Sequence, residues 1–259
     1  MTILDQIIQE KRKEIAEKKK RYPLSYLREG TGFRRKAFSM RQALAGSETG
    51  IIAEFKRKSP SKGFIQKDAI ATKVVKGYET AGATACSVLT DATFFGGSLA
   101  DLEKVRQVTD IPLLRKDFIL DPYQIAESKS AGADAILLIA AALTPGQCKE
   151  YAEEAKTLGL EVLLEIHTTQ ELTYICDSVD MIGINNRNLK TFVTDIYTSF
   201  ELGKRIPDCY VKVAESGISS LKTVKALREV GFKGFLIGET FMRECFPGQA
   251  LLKFLRNVD

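Results

Sequence analysis

From residue 50 onward the chain alternates short, wholly apolar runs with longer stretches whose apolar positions recur at helical spacing. The junctions share one form. A helical stretch ends on glycine, a short link follows and a β-rich run begins, as at Gly82, Gly132, Gly159 and Gly231. A glycine just past a helix accepts the left-handed C-cap conformation, so each junction marks a helix stop and a strand start. The pattern predicts eight strands, over 51–55, 86–90, 111–115, 136–139, 161–166, 181–185, 210–214 and 235–238. Helical patterning lies between them, over 99–108, 122–130, 145–157 and 220–230 among others.

Short apolar strands separated by helices belong to a parallel sheet covered by helices. Eight such units, at spacings of roughly 20 to 35 residues, predict an α/β fold of the (β/α)8 TIM-barrel type rather than an open doubly wound sheet. No G-x-G-x-x-G follows the first strand, which speaks against dinucleotide binding. The length of 259 residues suits one barrel. Residues 1–259 are therefore expected to form a single domain, with 1–47 as an N-terminal helical extension and 48–259 as the barrel.

A composition with 44% hydrophobic and 27% charged residues is that of a globular protein with a large core. No apolar run reaches the roughly 18 residues of a membrane span, and the N-terminus lacks the apolar centre of a signal peptide. The five cysteines, Cys86, Cys148, Cys176, Cys209 and Cys245, are scattered and form no CxxC pair. Neither a disulfide framework nor a zinc site is expected, and a cytoplasmic setting is. The net charge of +5 is unevenly placed: residues 1–47 hold twelve basic residues against five acidic ones, so they carry +7 and the remainder −2. Such an excess could serve a nucleic-acid or membrane surface. Ile3, Leu4, Ile7, Ile8 and Ile15, however, fall near helical spacing among the charges. They predict an amphipathic helix docked on the barrel with a solvated basic face. No nucleic-acid or membrane partner is expected, and the local positive field would favour an anionic small molecule.

Barrels of this kind place their active sites at the C-terminal ends of the strands. Those ends carry Glu54 and Lys56, Asp91, Lys116 with Asp117, Glu165, Asn185 with Arg187, and Glu215 with Ser216. Alternation along the first strand puts Glu54 and Lys56 on one face and Ala53 and Phe55 on the other. One Glu-x-Lys alone reads as a structural ion pair. Two lysines and three glutamates converging on one mouth exceed what structure needs, and a mixed ring both lowers the cost of burial and separates an acid from a base. The loops after the seventh and eighth strands hold Gly217 and Gly238-Glu239, where backbone N–H groups can receive a phosphate. The only histidine, His167, cannot build a multi-histidine metal site and is expected in a loop or helix-cap role. Asp91, Asp117 and Asp121 form no compact acidic cluster for magnesium, and no G-x-S-x-G elbow occurs. What remains is acid–base chemistry by lysine and glutamate on a phosphorylated small molecule, with no metal or cofactor expected.

The motifs that carry these residues resemble those of the indole-3-glycerol-phosphate synthase family over essentially the whole chain. They run Ala53-Glu54-Phe55-Lys56-Arg57-Lys58-Ser59-Pro60-Ser61-Lys62-Gly63, then Ser87-Val88-Leu89-Thr90-Asp91 with Phe94-Phe95-Gly96-Gly97-Ser98. Leu114-Arg115-Lys116-Asp117-Phe118, Gly183-Ile184-Asn185-Asn186-Arg187-Asn188-Leu189 and Ala214-Glu215-Ser216-Gly217-Ile218 follow. The resemblance implies a carboxy-lyase of tryptophan biosynthesis that closes an indole ring. It implies Lys116 as general acid and Glu165 as general base. Lys56 would meet the anthranilate carboxylate, Glu54 and Asn185 would orient lysines and hydroxyls, and Glu215 and Ser216 would complete the polar ring. It further implies Phe118 and Leu189 against the aromatic ring, and Gly217, Gly238 and Glu239 around the phosphate, with Ser59 and Arg187 nearby. Glu239 stands where some members carry serine, so its side chain has no implied role. Phosphoribosylanthranilate isomerase, another phosphosugar barrel, does not share the Lys56, Lys116 and Glu165 trio. Association with other enzymes of tryptophan biosynthesis is not settled by these motifs.

Overall fold

The computed structural model describes residues 2–189 and 191–256; Met1 and 257–259, the ends of the expected domain span, lie outside the described residues. Among the described residues eight strands form the barrel: β1 (Ile51–Phe55), β2 (Ala85–Leu89), β3 (Leu113–Lys116), β4 (Ala135–Ile139), β5 (Glu161–Ile166), β6 (Met181–Asn185), β7 (Val211–Glu215) and β8 (Phe232–Ile237). Each pairs in parallel with the next, and β8 returns to β1, Ile51 opposite Phe235, to close the barrel. The expected (β/α)8 architecture is thus the observed one. The largest shift in a strand edge is at β8, which starts three residues before the predicted 235. An irregularity between Phe232 and Gly234 lets this glycine-containing stretch join β7 early.

Four helices precede the barrel: α1 (Ile3–Arg21), α2 (Leu24–Glu29), α3 (Thr31–Arg34) and α4 (Met40–Gly46). The outer layer follows as α5 (Ala71–Ala81), α6 (Leu99–Arg106), α7 (Pro122–Ser130), α8 (Pro145–Thr157), α9 (Tyr197–Gly203), α10 (Leu221–Glu229), α11 (Glu239–Met242) and α12 (Pro247–Arg256). Local chemistry sets their ends. Asp121 caps α7 by accepting from the Tyr123 N–H, with Pro122 at the first helical position, and Gly82 ends α5 in the left-handed conformation.

Alternate strand residues build two separate apolar layers. Ile52, Leu114, Leu137, Leu163, Met181, Val213 and Leu236 fill the barrel, whereas Ala53, Phe55, Val88, Ile136 and Leu164 face the helices. Met40 and Leu44 of α4 join the inner layer and close the end where the strands begin. The other end stays polar and forms the mouth.

The extension departs from expectation in one respect. A capping box between Thr2 and Asp5 starts α1, and Ile7 and Ile15 are buried as predicted. The basic face is not wholly solvated, because Lys11 is also buried, with 1% of its side chain exposed. Its ammonium lies 2.9 Å from Asp91 and 3.0 Å from Asp117, at the ends of β2 and β3, and 2.7 Å from Glu14. Burial opposes both charges, but the carboxylates hold Lys11 above the usual lysine range, while Lys11 and Arg115 hold Asp117 below the usual aspartate range. Asp117 pairs onward to Arg115, Arg115 to Glu127, Glu127 to Lys18 and Lys18 to Glu14. Asp91 and Asp117 therefore seat α1 across the barrel mouth.

No helix among the described residues is long and apolar enough to cross a membrane. All five cysteines are free thiols.

Candidate active site

The mouth opens into a cavity of about 180 Å³ lined by residues from all eight strands and from α1. Glu54, Lys56, Ser59, Lys116, Phe118, Glu165, Asn185, Arg187, Leu189, Glu215, Ser216, Gly217, Gly238 and Glu239 all border it. Every site residue expected from the sequence is thus brought to one space.

Two ion-pair groups border this space. Lys56 donates to Glu54 Oε1 at 2.6 Å. Lys116 donates to Glu165 Oε2 at 3.3 Å and lies 3.2 Å from Glu215 Oε2, a charge contact without hydrogen-bond alignment. Glu54, Glu165 and Glu215 are each less than 5% exposed. Burial works against the Lys116 charge, but Glu215, Glu165 and Glu54 outweigh it and hold the ammonium well above the usual lysine range. Burial likewise pushes Glu165 up, yet Lys116, His167 and a hydrogen bond from Asn185 bring it below the usual glutamate range. Glu215 goes the other way. Burial, reinforced by Glu165 and Glu54, pushes it up to about 8 despite Lys116. Two carboxylates share one ammonium, and their environments drive them apart, one ionised and one largely protonated at neutral pH.

Glycines make room for these carboxylates. A Cβ on Gly183 would stand 2.3 Å from Glu215 Oε1, and one on Gly238 would stand 2.3 Å from Glu54 Oε1. Gly238, expected at a phosphate, thus also admits the Glu54 side chain. Ser216 and Gly217 both take positive φ, 65° and 76°, which turns the β7 loop over the cavity. Glu239 opens α11 with its carboxylate engaged by Arg243 and 3.6 Å from Arg187. Ser59 Oγ is buried with no hydrogen-bond partner in the protein. The 59–63 rim is a short antiparallel ladder, Lys58 opposite Phe64 and Ser59 opposite Gly63. Arg57 anchors it through Asp101, and Lys58 through the Thr93 carbonyl.

Sequence reasoning missed part of the wall. Ile3, Leu4 and Ile7 of α1, together with Phe95 and Phe192, supply apolar surface. The signal lay in α1, whose apolar residues begin before any barrel strand needs covering. His167 was expected in a loop or cap role. Its backbone N–H does donate to Glu171 at 2.6 Å, but its ring also faces Glu165, with Nε2 3.4 Å from Oε1.

A sequence profile of the family described as indole-3-glycerol phosphate synthase matches residues 4–252. An indole-3-glycerol phosphate synthase of Bacteroides thetaiotaomicron is 53% identical over 256 residues, covering 99% of this chain and 98% of its own. One from Delftia acidovorans is 42% identical, over 97% of this chain and 98% of its own. Among solved structures, a mutant tryptophan synthase α-subunit from Pyrococcus furiosus superposes with a TM-score of 0.61 at 17% identity, covering 81% of this chain and 97% of that one. KGPDC from Streptococcus mutans also gives 0.61, at 13% identity over 79% and 94% of the two chains. At such identities these two show the barrel fold alone.

Proposed function

The chain belongs to the indole-3-glycerol phosphate synthase family, and on that premise we propose how its cavity carries the reaction. The family's enzymes are carboxy-lyases of tryptophan biosynthesis. They convert 1-(2-carboxyphenylamino)-1-deoxyribulose 5-phosphate into indole-3-glycerol phosphate, carbon dioxide and water. A ring carbon attacks the sugar carbonyl, whose oxygen must be protonated as the carbonyl carbon becomes tetrahedral. Lys116 is the proton donor, an ammonium held charged until negative charge develops beside it. Carbon dioxide then leaves, the new hydroxyl departs as water, and Glu165 takes the proton lost from the adjacent carbon. Its depressed pKa keeps it ionised and ready to do so.

Lys56 receives the anthranilate carboxylate, with Glu54 at 2.6 Å keeping its ammonium aimed. Asn185, Glu215 and Ser216 hold the sugar hydroxyls and the lysine. Phe118 and Leu189 pack the aromatic ring. Gly217, Gly238 and the Glu239 N–H receive the phosphate, with the unpartnered Ser59 hydroxyl and Arg187 beside them. Residues 1–47 serve the same domain as a lid-side wall. The setting is cytoplasmic, and the partner is the phosphorylated small molecule rather than nucleic acid or membrane.

The observation that carries this reading is the Lys116 ammonium held between Glu165 and Glu215 at the cavity wall. Supplying the carboxyphenylamino-deoxyribulose phosphate should produce indole fluorescence. Lys116→Ala and Glu165→Gln should each lower turnover by about 10²- to 10⁴-fold with the circular-dichroism spectrum unchanged. No turnover by the wild type would sink the assignment, and near-normal rates in either variant would remove that residue's role.

A further inference from the structure

The reaction's hydrogen balance exposes a need that the cavity residues do not meet by themselves. The carbonyl oxygen departs as water and so collects two hydrogens. One comes from the substrate's own methylene group by way of the base. The other must come from solvent, because a carboxylate leaves as neutral carbon dioxide. Each turnover therefore draws one proton into a site where Lys116 and Glu165 are both buried once substrate fills the mouth.

His167 stands where such a proton could enter. It does not line the cavity, yet its Nε2 is 3.4 Å from Glu165 Oε1, while Glu165 Oε2 accepts from Lys116. Glu165 thus separates His167 from the substrate space. Both ring nitrogens are buried and lack a hydrogen-bond partner within the protein, while a tenth of the side chain as a whole stays exposed. Its outer nitrogen, Nδ1, is 3.9 Å from Glu171 Oε2, itself part-exposed. The ionisable groups facing the ring are Glu165 from β5 and Glu171 from the turn after it, with Lys116 of β3 and Glu215 of β7 beyond Glu165. An imidazole between two carboxylates is well suited to take a proton on one nitrogen and release one from the other.

We propose that His167 is a relay residue that recharges the active-site acid from solvent through Glu165. A solvent proton reaches the buried Nδ1 by way of Glu171, and the Nε2 proton passes to Glu165 Oε1. Rotation of the carboxyl delivers that proton to Lys116, which was left neutral after protonating the substrate oxygen. Glu165 is ionised again and His167 is neutral with its proton on Nδ1; loss of that proton and regain of one on Nε2 by exchange with solvent resets the ring. No bond other than N–H and O–H changes, and one proton enters per turnover. This rests on Lys116 as acid and Glu165 as base.

The test compares wild type, His167→Ala, His167→Gln and Glu165→Gln in steady-state assays from pH 6 to 9. His167→Ala and His167→Gln should lower kcat by about ten-fold, less than the roughly 10²-fold of a group acting directly on substrate. KM should stay unchanged, and the loss should deepen as pH rises and solvent protons become scarce. Free imidazole should restore turnover to His167→Ala, which a purely structural defect would not allow. Wild-type kcat in both histidine variants, or a loss indifferent to imidazole and pH, overturns the relay. If Glu165→Gln also keeps its rate, the base assignment fails; if Glu165→Gln alone is impaired, only the relay fails.

Discussion

Glu215 carries the clearest consequence of burial for a single side chain. Held at about 8, it binds a proton in the folded state across a range where the unfolded chain has released it. Its contribution to stability is complete below the ordinary glutamate pKa and is lost as pH rises through about 8. Unfolding midpoints in urea should therefore fall for the wild type between pH 6 and 9, and fall less for Glu215→Gln, which keeps the shape without the titration. Equal declines in both would show that Glu215 is not the group responsible. The sequence marked Glu215 as a site residue through its place at a strand end. It could not say that Glu215 and Glu165 would take opposite protonation states, since that depends on how each meets Lys116. Gly183 was half-visible: an isolated glycine inside a strand signals a close approach, but only the fold shows that Glu215 is what approaches.

Among the elements, α1 was the least legible. Its apolar spacing predicted Ile7 and Ile15 on a docked face, and both are buried. The same spacing places Lys11 on that face, four residues after Ile7 and four before Ile15, and a charge there contradicts the simple amphipathic reading. The conflict resolves across the fold, because Asp91 and Asp117 arrive from two strands to meet it. Removing one partner from such a buried cluster leaves the others unpaired. Lys11→Met should cost about 3–5 kcal/mol, a fall in melting temperature of about 10 °C. It should also raise KM, since Ile3, Leu4 and Ile7 of the same helix form part of the cavity wall. A wild-type melting temperature would mean that the cluster contributes nothing net. The 59–63 rim was no more legible as an element: its hairpin pairing and its Arg57–Asp101 anchor came only with the structure.

For the whole molecule, the helical layer must close as the sheet does. That closure falls on α5 and α12, where Gly77 and Gly248 bring two backbones together; a Cβ on Gly248 would stand 2.7 Å from the Gly77 carbonyl carbon. Gly248→Val should force these helices apart at a cost of about 1–3 kcal/mol, measured as a lower melting temperature, while kcat below the transition stays near wild type because the contact lies outside the mouth. An unchanged melting temperature would mean that the two helices part freely. The sequence by itself determined the number and order of the strands, the parallel barrel and the ring of charges at its mouth. Those follow from periodicity and from alternation along single strands, which are local. Only the tertiary structure decided which carboxylate faces which ammonium, that Lys11 is buried, and that His167 stands behind Glu165. Those depend on the closure of β8 on β1 and on desolvation, which act between residues far apart in the chain.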